Sequence, residues 1–223
     1  MIDVILPALD EAAAVAWVLE RMPEGFHPIV VDNGSTDSTA EIAARLGATV
    51  VREPQRGFGS ACWAGLNAAT TDVVCFMDCD ASLDPLALPV LTALLHADRA
   101  QLVVSQRIAE RGSWPVHARV ANRVLAAEVR RRTGLRLPDL GPMRAVQREP
   151  LLALGMHDRR SGWPLEMVLK AAKAGWRIET VPVAYHERVG RSKVTGTFAG
   201  TLRAVSDMGR LLRTDPAVER EHR

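Results

Sequence analysis

Cysteine and aromatic side chains are scarce in this 223-residue chain, which has three Cys, one Tyr and 4% Phe, Trp and Tyr together. Cys62, Cys75 and Cys79 are odd in number and lack CxxC spacing, which argues against a disulfide framework and for reduced, mostly buried thiols. That usage fits a cytoplasmic protein. Long apolar runs are also missing. The longest, from Leu86 to Ala97, is about a dozen residues, well short of the roughly 20 needed to span a bilayer. Met1 leads straight into the strand-like IDVIL with no basic segment before it, so no signal peptide is expected. A soluble chain is expected, one able to rest on the inner face of the plasma membrane. No GxGxxG follows a strand and no GxxxxGK[ST] occurs, which disfavours a dinucleotide dehydrogenase and a Walker-type NTPase. No internal repeat or low-complexity linker is present, and 48% apolar residues exclude intrinsic disorder.

Charge of either sign is plentiful, yet the 28 Lys and Arg nearly cancel the 26 Asp and Glu to leave +2. The cancellation is spatially uneven along the chain. Residues 1–100 carry 5 basic and 14 acidic side chains, against 23 and 12 in residues 101–223. Such segregation suggests two chemically distinct halves of one site or an anionic partner for the second half; solvated charge on opposite faces is the alternative.

Short apolar runs at 3–6, 29–31, 49–51, 73–77 and 102–105 alternate with helical patterns at 11–21, 38–46, 59–69 and 85–96. Alternation of this kind predicts an α/β fold with a mostly parallel central sheet flanked by helices. Ligands of such sheets bind beyond the carboxyl ends of the strands, and four successive strand ends here are polar. After residue 106 the pattern predicts a helix over 116–132, a strand at 143–147, a helix at 163–174, a strand at 177–184 and a last helix at 197–212. In the 116–132 helix, Val116, Val120, Val124, Leu125 and Val129 read as an apolar stripe, with Arg119, Arg123 and Arg130 on another face. One continuous domain is expected over 1–213, with a charged tail at 214–223.

The most informative motif is Phe76-Met77-Asp78-Cys79-Asp80. Alternate residues of a strand point the same way, so Asp78 and Asp80 converge where the strand runs out. Paired carboxylates repel unless a cation lies between them or one protonates, and hard oxygen donors suit Mg²⁺ or Mn²⁺. A solvated acidic turn is the plainer reading of the same residues. Asp32-Asn33-Gly34-Ser35-Thr36-Asp37 follows the second strand with a glycine-permitted turn and free backbone N–H groups, and Asp32 is placed to accept from a base. Asp37 and Ser38 read as helix caps. Arg56-Gly57-Phe58-Gly59 offers a basic, flexible turn suited to phosphate.

LPALDE, VVDNGSTDST, RGFGSACWAGL and FMDCDASLDP, in that order, resemble glycosyltransferase family 2, which has the GT-A fold. Ser105-Gln106-Arg107, DLGPMRA at 139–145, GWPLEM at 162–167 and RVGRSKV at 188–194 look most like the dolichol-phosphate mannosyltransferase and polyprenyl-phosphate glucosyltransferase branch. The resemblance implies an inverting, metal-dependent transferase. It would move a hexose from a nucleoside-diphosphate sugar, UDP-glucose before GDP-mannose, to a polyprenyl phosphate, with no nucleic-acid partner. It places Pro7, Leu9, Glu11, Asp32, Asn33, Gly34, Arg56, Gly57, Asp78 and Cys79 around the donor, and the metal on Asp78 and Asp80. Relatives often carry an acidic or amide residue where this chain has Ser82. Arg107, Arg119, Arg188, Arg191 and Lys193 are the candidates for the acceptor phosphate, with Asp80, Arg144 and Glu166 as catalytic groups. Glu166 would be a general base if the acceptor were a saccharide or small-molecule hydroxyl, and a structural acceptor is the other reading. A non-catalytic sugar-nucleotide sensor is the alternative from another class.

Overall fold

A computed structural model describes residues 1–110, 113–114 and 116–190. The expected last helix, the charged tail, Arg191 and Lys193 lie outside the described residues. Seven strands form one sheet in the order β3-β2-β1-β4-β6-β5-β7: β1 Ile2–Ala8, β2 Phe26–Asp32, β3 Thr49–Arg52, β4 Val73–Phe76, β5 Leu102–Ala109, β6 Arg144–Gln147 and β7 Ile178–Tyr185. β6 is antiparallel to β4 and β5, and the remaining pairings are all parallel. The ends of β1, β2, β4, β5 and β7 therefore open on one edge, as the polar strand ends predict. Residue 100, which divides the acidic from the basic part of the chain, lies just before β5 in the same continuous sheet.

Both faces of the sheet are covered, so strand residues feed two cores with a period of two. Ile5, Val31 and Phe76 pack on one side with α3 (Phe58–Ala68) and α7 (Trp163–Lys173), where Trp163 meets the Trp63 and Phe76 rings. Val4, Leu6, Val30 and Cys75 pack on the other with α1 (Val15–Glu20) and α4 (Leu88–His96). Remaining helices are α2 (Thr39–Arg45), α5 (Val116–Thr133) and the short α6 (Arg148–Ala153), the last of which escapes a periodicity search because it is only six residues long. The helix expected from residue 11 begins at Val15. A turn comes first, with Asp10 at φ 52° and both the Ala14 and Val15 amides donating to the Glu11 carbonyl.

α5 departs most from expectation. Only Asn122, Leu125 and Val129 are buried in it, while Val116, Val120 and Val124 are 66%, 51% and 61% exposed. Arg119, Arg123 and Arg130 are exposed as well. At 100° per residue these six side chains occupy one continuous arc, so valines and arginines share the solvent face instead of dividing between two.

Candidate active site

Met77 and Cys79 are buried in the core, and Asp78 and Asp80 alternate with them beyond the end of β4. Ala81 follows at φ 61°, a left-handed conformation that a residue with a Cβ adopts at some cost, and it turns the chain sharply beside the carboxylates. One Asp80 oxygen, Oδ1, accepts from the Ser82 amide at 3.0 Å; the other, Oδ2, faces Arg188 Nη1 at 3.4 Å. Arg188 Nη2 donates to Glu11 Oε1 at 2.8 Å. Glu11 comes from the turn after β1 and Arg188 from the segment after β7, so three strand ends meet in this cluster. Burial first, and the Asp80 carboxylate second, push the Asp78 carboxyl up to about 7, opposed by Arg107, Arg188 and Arg144. That is the response of two acids sharing one place, and a cation between them would relieve it.

Asp32 Oδ1 accepts from the Ser35 amide at 2.7 Å, which closes the turn after β2 without using the second carboxylate oxygen. Pro7 and Leu9 are half-buried beside it on the strand-end rim. Gly34 has φ 85°, and the Arg56 guanidinium lies 3.2 Å from where a Cβ would stand, so the glycine lets Arg56 lie across the turn. Gly57, at φ 149°, would drive a Cβ to 2.1 Å from the Arg159 carbonyl; its loop packs flat against residues 158–160.

Several expected ligands are already occupied. The Asn33 side chain donates to the Glu53 and Gln55 carbonyls at 2.9 and 2.7 Å and accepts from the Gly57 amide at 2.8 Å, so it clamps the loop. Cys79 is 2% exposed, and burial pushes its thiol up, so its side chain packs in the core. Arg144 is buried, and its guanidinium donates to the carbonyls of Gly141, Pro164 and Leu140 at 3.1, 2.7 and 3.3 Å. Burial lowers it to about 10, which still leaves it protonated at neutral pH, and it ties β6 to α7. Arg107 is held by Asp139 through Nε at 2.9 Å and Nη2 at 2.7 Å and is stacked on Trp114 at 3.9 Å. Arg119 is exposed on α5. Glu166 accepts from the His157 and Asp158 amides at 2.9 and 2.7 Å and pairs with Lys170 at 2.9 Å.

Sequence reading missed the unit made by Arg107, Asp139, Trp114 and Tyr185. Arg107 lies 5.5 Å from the ring centre of Tyr185, the single tyrosine, whose ring in turn lies tilted against Trp114 at 6.0 Å. An arginine within a family-like motif signalled importance, but its bidentate partner 32 residues away is set by tertiary structure.

Among the described residues no three His, Cys, Asp or Glu side chains gather as a metal cluster. The acidic pair nevertheless fits a Mg²⁺-like ion, which keeps several waters and completes its shell with substrate phosphate oxygens around one or two carboxylates.

A mostly parallel sheet with one reversed strand inside it, and a carboxylate pair beyond its fourth strand, is the GT-A arrangement, and the molecule is a glycosyltransferase. The chain belongs to glycosyl transferase family 2, whose model matches residues 3–154. It is 45% identical over 213 residues to an uncharacterized glycosyltransferase of Mycobacterium tuberculosis, covering 95% of this chain and 97% of the relative. A dolichyl-phosphate hexose transferase of Haloferax volcanii is 31% identical over 213 residues, covering 88% of this chain and 87% of its own. Among solved structures, glucosyl-3-phosphoglycerate synthase of M. tuberculosis, crystallised with Mn²⁺, uridine diphosphate and glucosyl-3-phosphoglycerate, superposes with a TM-score of 0.78. It is 27% identical, over 95% of this chain and 78% of that one.

Proposed function

We propose that this enzyme moves a hexose from a nucleoside-diphosphate sugar, UDP-glucose in preference to GDP-mannose, to a polyprenyl phosphate with inversion at the anomeric carbon. Asp32, Pro7, Leu9 and the Glu11 turn would hold the nucleoside, with Arg56 and Gly57 at the phosphate side. Asp78 and Asp80 would hold Mg²⁺ or Mn²⁺, which when bound neutralises the diphosphate leaving group. Arg188 adds a second positive charge on the same group, and Arg191 and Lys193, in the family-like motif, are assigned to the acceptor phosphate. An acceptor oxygen attacks the anomeric carbon from the side opposite the diphosphate, and the bond to the leaving oxygen breaks with its electron pair on that oxygen. Phosphate monoesters have a second pKa of about 6, so the attacking oxygen needs no protein base.

The observation that carries the choice of acceptor is the exposed face of α5. Valines set among arginines suit the boundary of an anionic bilayer, where a polyprenyl phosphate resides, and no described helix is long and apolar enough to cross a membrane. The Haloferax relative, matched over most of both chains, supports the same acceptor class. A second reading, a small phosphorylated molecule with a hydroxyl acceptor, is favoured by the likeness to glucosyl-3-phosphoglycerate synthase.

Transfer assays separate the two. UDP-glucose and GDP-mannose, each with Mn²⁺, are offered to the enzyme with undecaprenyl phosphate in phosphatidylglycerol-containing vesicles or with 3-phosphoglycerate in solution. Labelled lipid from UDP-glucose is the expected product; labelled phosphoglycerate with no labelled lipid would replace this acceptor with the second.

Glu166→Gln addresses the same choice from the protein side. Because both carboxylate oxygens already accept from backbone amides, the substitution is expected to lower Tm by a few degrees while kcat stays within about threefold of wild type. A fall of about a hundredfold or more in kcat with unchanged Tm would restore the general-base role and the hydroxyl acceptor.

A further inference from the structure

Arg188 stands where a metal-bound substrate would need space. The segment that carries it is fastened on both sides to the turn after β4: the His186 amide donates to the Ser82 carbonyl at 2.9 Å, and the Val189 amide to the Asp80 carbonyl at 3.0 Å. These two bonds hold the Arg188 backbone beside the carboxylates whatever its side chain does. Its guanidinium bridges Glu11 and Asp80, with side-chain exposures of 23%, 10% and 8% for the three residues. Arg188 Nε is buried in the same place with no hydrogen-bond partner.

Atom by atom, the bridge conflicts with metal binding. Asp80 Oδ1 accepts from the Ser82 amide and Arg188 Nη1 faces the second oxygen, Oδ2, so a cation held by Oδ2 would meet the guanidinium. A Mg²⁺-like ion needs its ligand oxygen at about 2.1 Å. A guanidinium beside it would compete for the same lone pairs and repel the ion at close range. With the substrate diphosphate present, the balance reverses, because its oxygens offer the guanidinium a better anionic partner than a carboxylate already shared with a metal.

We propose that Arg188 is a resident counter-cation: it bridges Glu11 and Asp80 while the site is empty, and it yields Asp80 to the metal when a metal–nucleoside-diphosphate pair enters. On release, the guanidinium turns toward the diphosphate, where its unpartnered Nε gains an acceptor. This rests on the sugar-nucleotide reading above and adds the order of events at that site. Metal alone binds weakly because it must displace a charge that has nowhere better to go. Metal and nucleotide then bind with positive coupling, and each tightens the other by the same factor.

Mn²⁺ titrations of the full chain, followed by electron paramagnetic resonance with and without UDP, test this directly. Wild type is expected to bind Mn²⁺ about tenfold or more tightly when UDP is present. Arg188→Gln is expected to bind Mn²⁺ alone roughly tenfold more tightly than wild type, to bind UDP more weakly, and to lose most of the coupling. Arg188→Lys keeps the charge but cannot fork between two carboxylates, so it falls between them; it also stands in if the Gln variant fails to fold. The proposal is overturned if a folded Arg188→Gln binds Mn²⁺ alone no better than wild type while wild type binds Mn²⁺ with UDP. Failure of wild type to bind Mn²⁺ even with UDP would overturn the sugar-nucleotide reading together with it.

Discussion

Asp78→Asn is expected to make the metal-free protein more stable and sugar transfer slower by about a thousandfold or more. Burial and the Asp80 carboxylate raise the Asp78 carboxyl from its ordinary 3.8 to about 7. Between those values the native protein holds a proton that the unfolded chain has released. Stability contributed at this position is therefore highest below the ordinary carboxylate value and falls as pH rises toward 7. Asparagine removes the titration. At neutral pH the gain is on the order of 2 kcal/mol, or roughly 4–8 °C in Tm for a chain of this size. Thermal melts in chelator from pH 4 to 8 should show the wild-type loss and a flatter variant. A variant that melts below wild type at pH 7 would mean that Asp78 is held by favourable contacts instead of repulsion. Activity should not follow stability, because the same carboxylate is assigned to the metal.

Gly141→Ala carries the largest expected effect on folding. A Cβ there would lie 1.8 Å from the Ser105 carbonyl oxygen and 2.4 Å from Ser105 Oγ, and the carbonyl belongs to the backbone of β5, which cannot move aside. The surrounding turn is cross-tied. The Ser105 amide donates to the Met143 carbonyl at 2.8 Å, the Met143 amide to Ser105 Oγ at 3.2 Å, and Arg144 Nε to the Gly141 carbonyl at 3.1 Å. Adding one methyl group pushes this turn off β5 and disturbs the Asp139 carboxylate that holds Arg107. A loss of about 3 kcal/mol or more is expected, equivalent to roughly 6–12 °C in Tm. Gly25→Ala, where φ is 82° but no atom lies within 4 Å of the added carbon, should cost only about 1 kcal/mol. Similar urea midpoints for the two variants would show that close packing at Gly141 is not what the turn depends on.

The alternation of apolar runs and polar strand ends was enough to place the sheet, its open edge and the Asp78–Asp80 pair, because all three follow from local periodicity. β6 fell within a predicted strand, but its reversed direction depends on which neighbours it joins and has no local signature. The same limit applies to side chains. Asn33, Arg144 and Glu166 sit in family-like motifs, yet each is hydrogen-bonded to backbone groups that only the folded loops bring to it, and motif spacing carries no information about whether a polar atom is already satisfied. On α5 the difficulty is different: a heptad-like valine pattern implies burial only if something covers it, and the covering layer here reaches only Leu125 and Val129. Arg188 was legible as a basic residue near phosphate, but its partnership with Glu11, 177 positions earlier, was not.

Strand β6 also bears on how this enzyme could be re-engineered. Its residues pair with β4 through Val74↔Val146 and with β5 through Val103↔Ala145, so a strand from late in the chain is laced between two from earlier in it. A chimera joined near residue 105 would exchange one side of each pairing and place foreign residues on both of its seams. Grafting acceptor preference from one relative to another would therefore succeed by replacing surface segments such as the outer face of α5, with β4, β5 and β6 kept from a single parent.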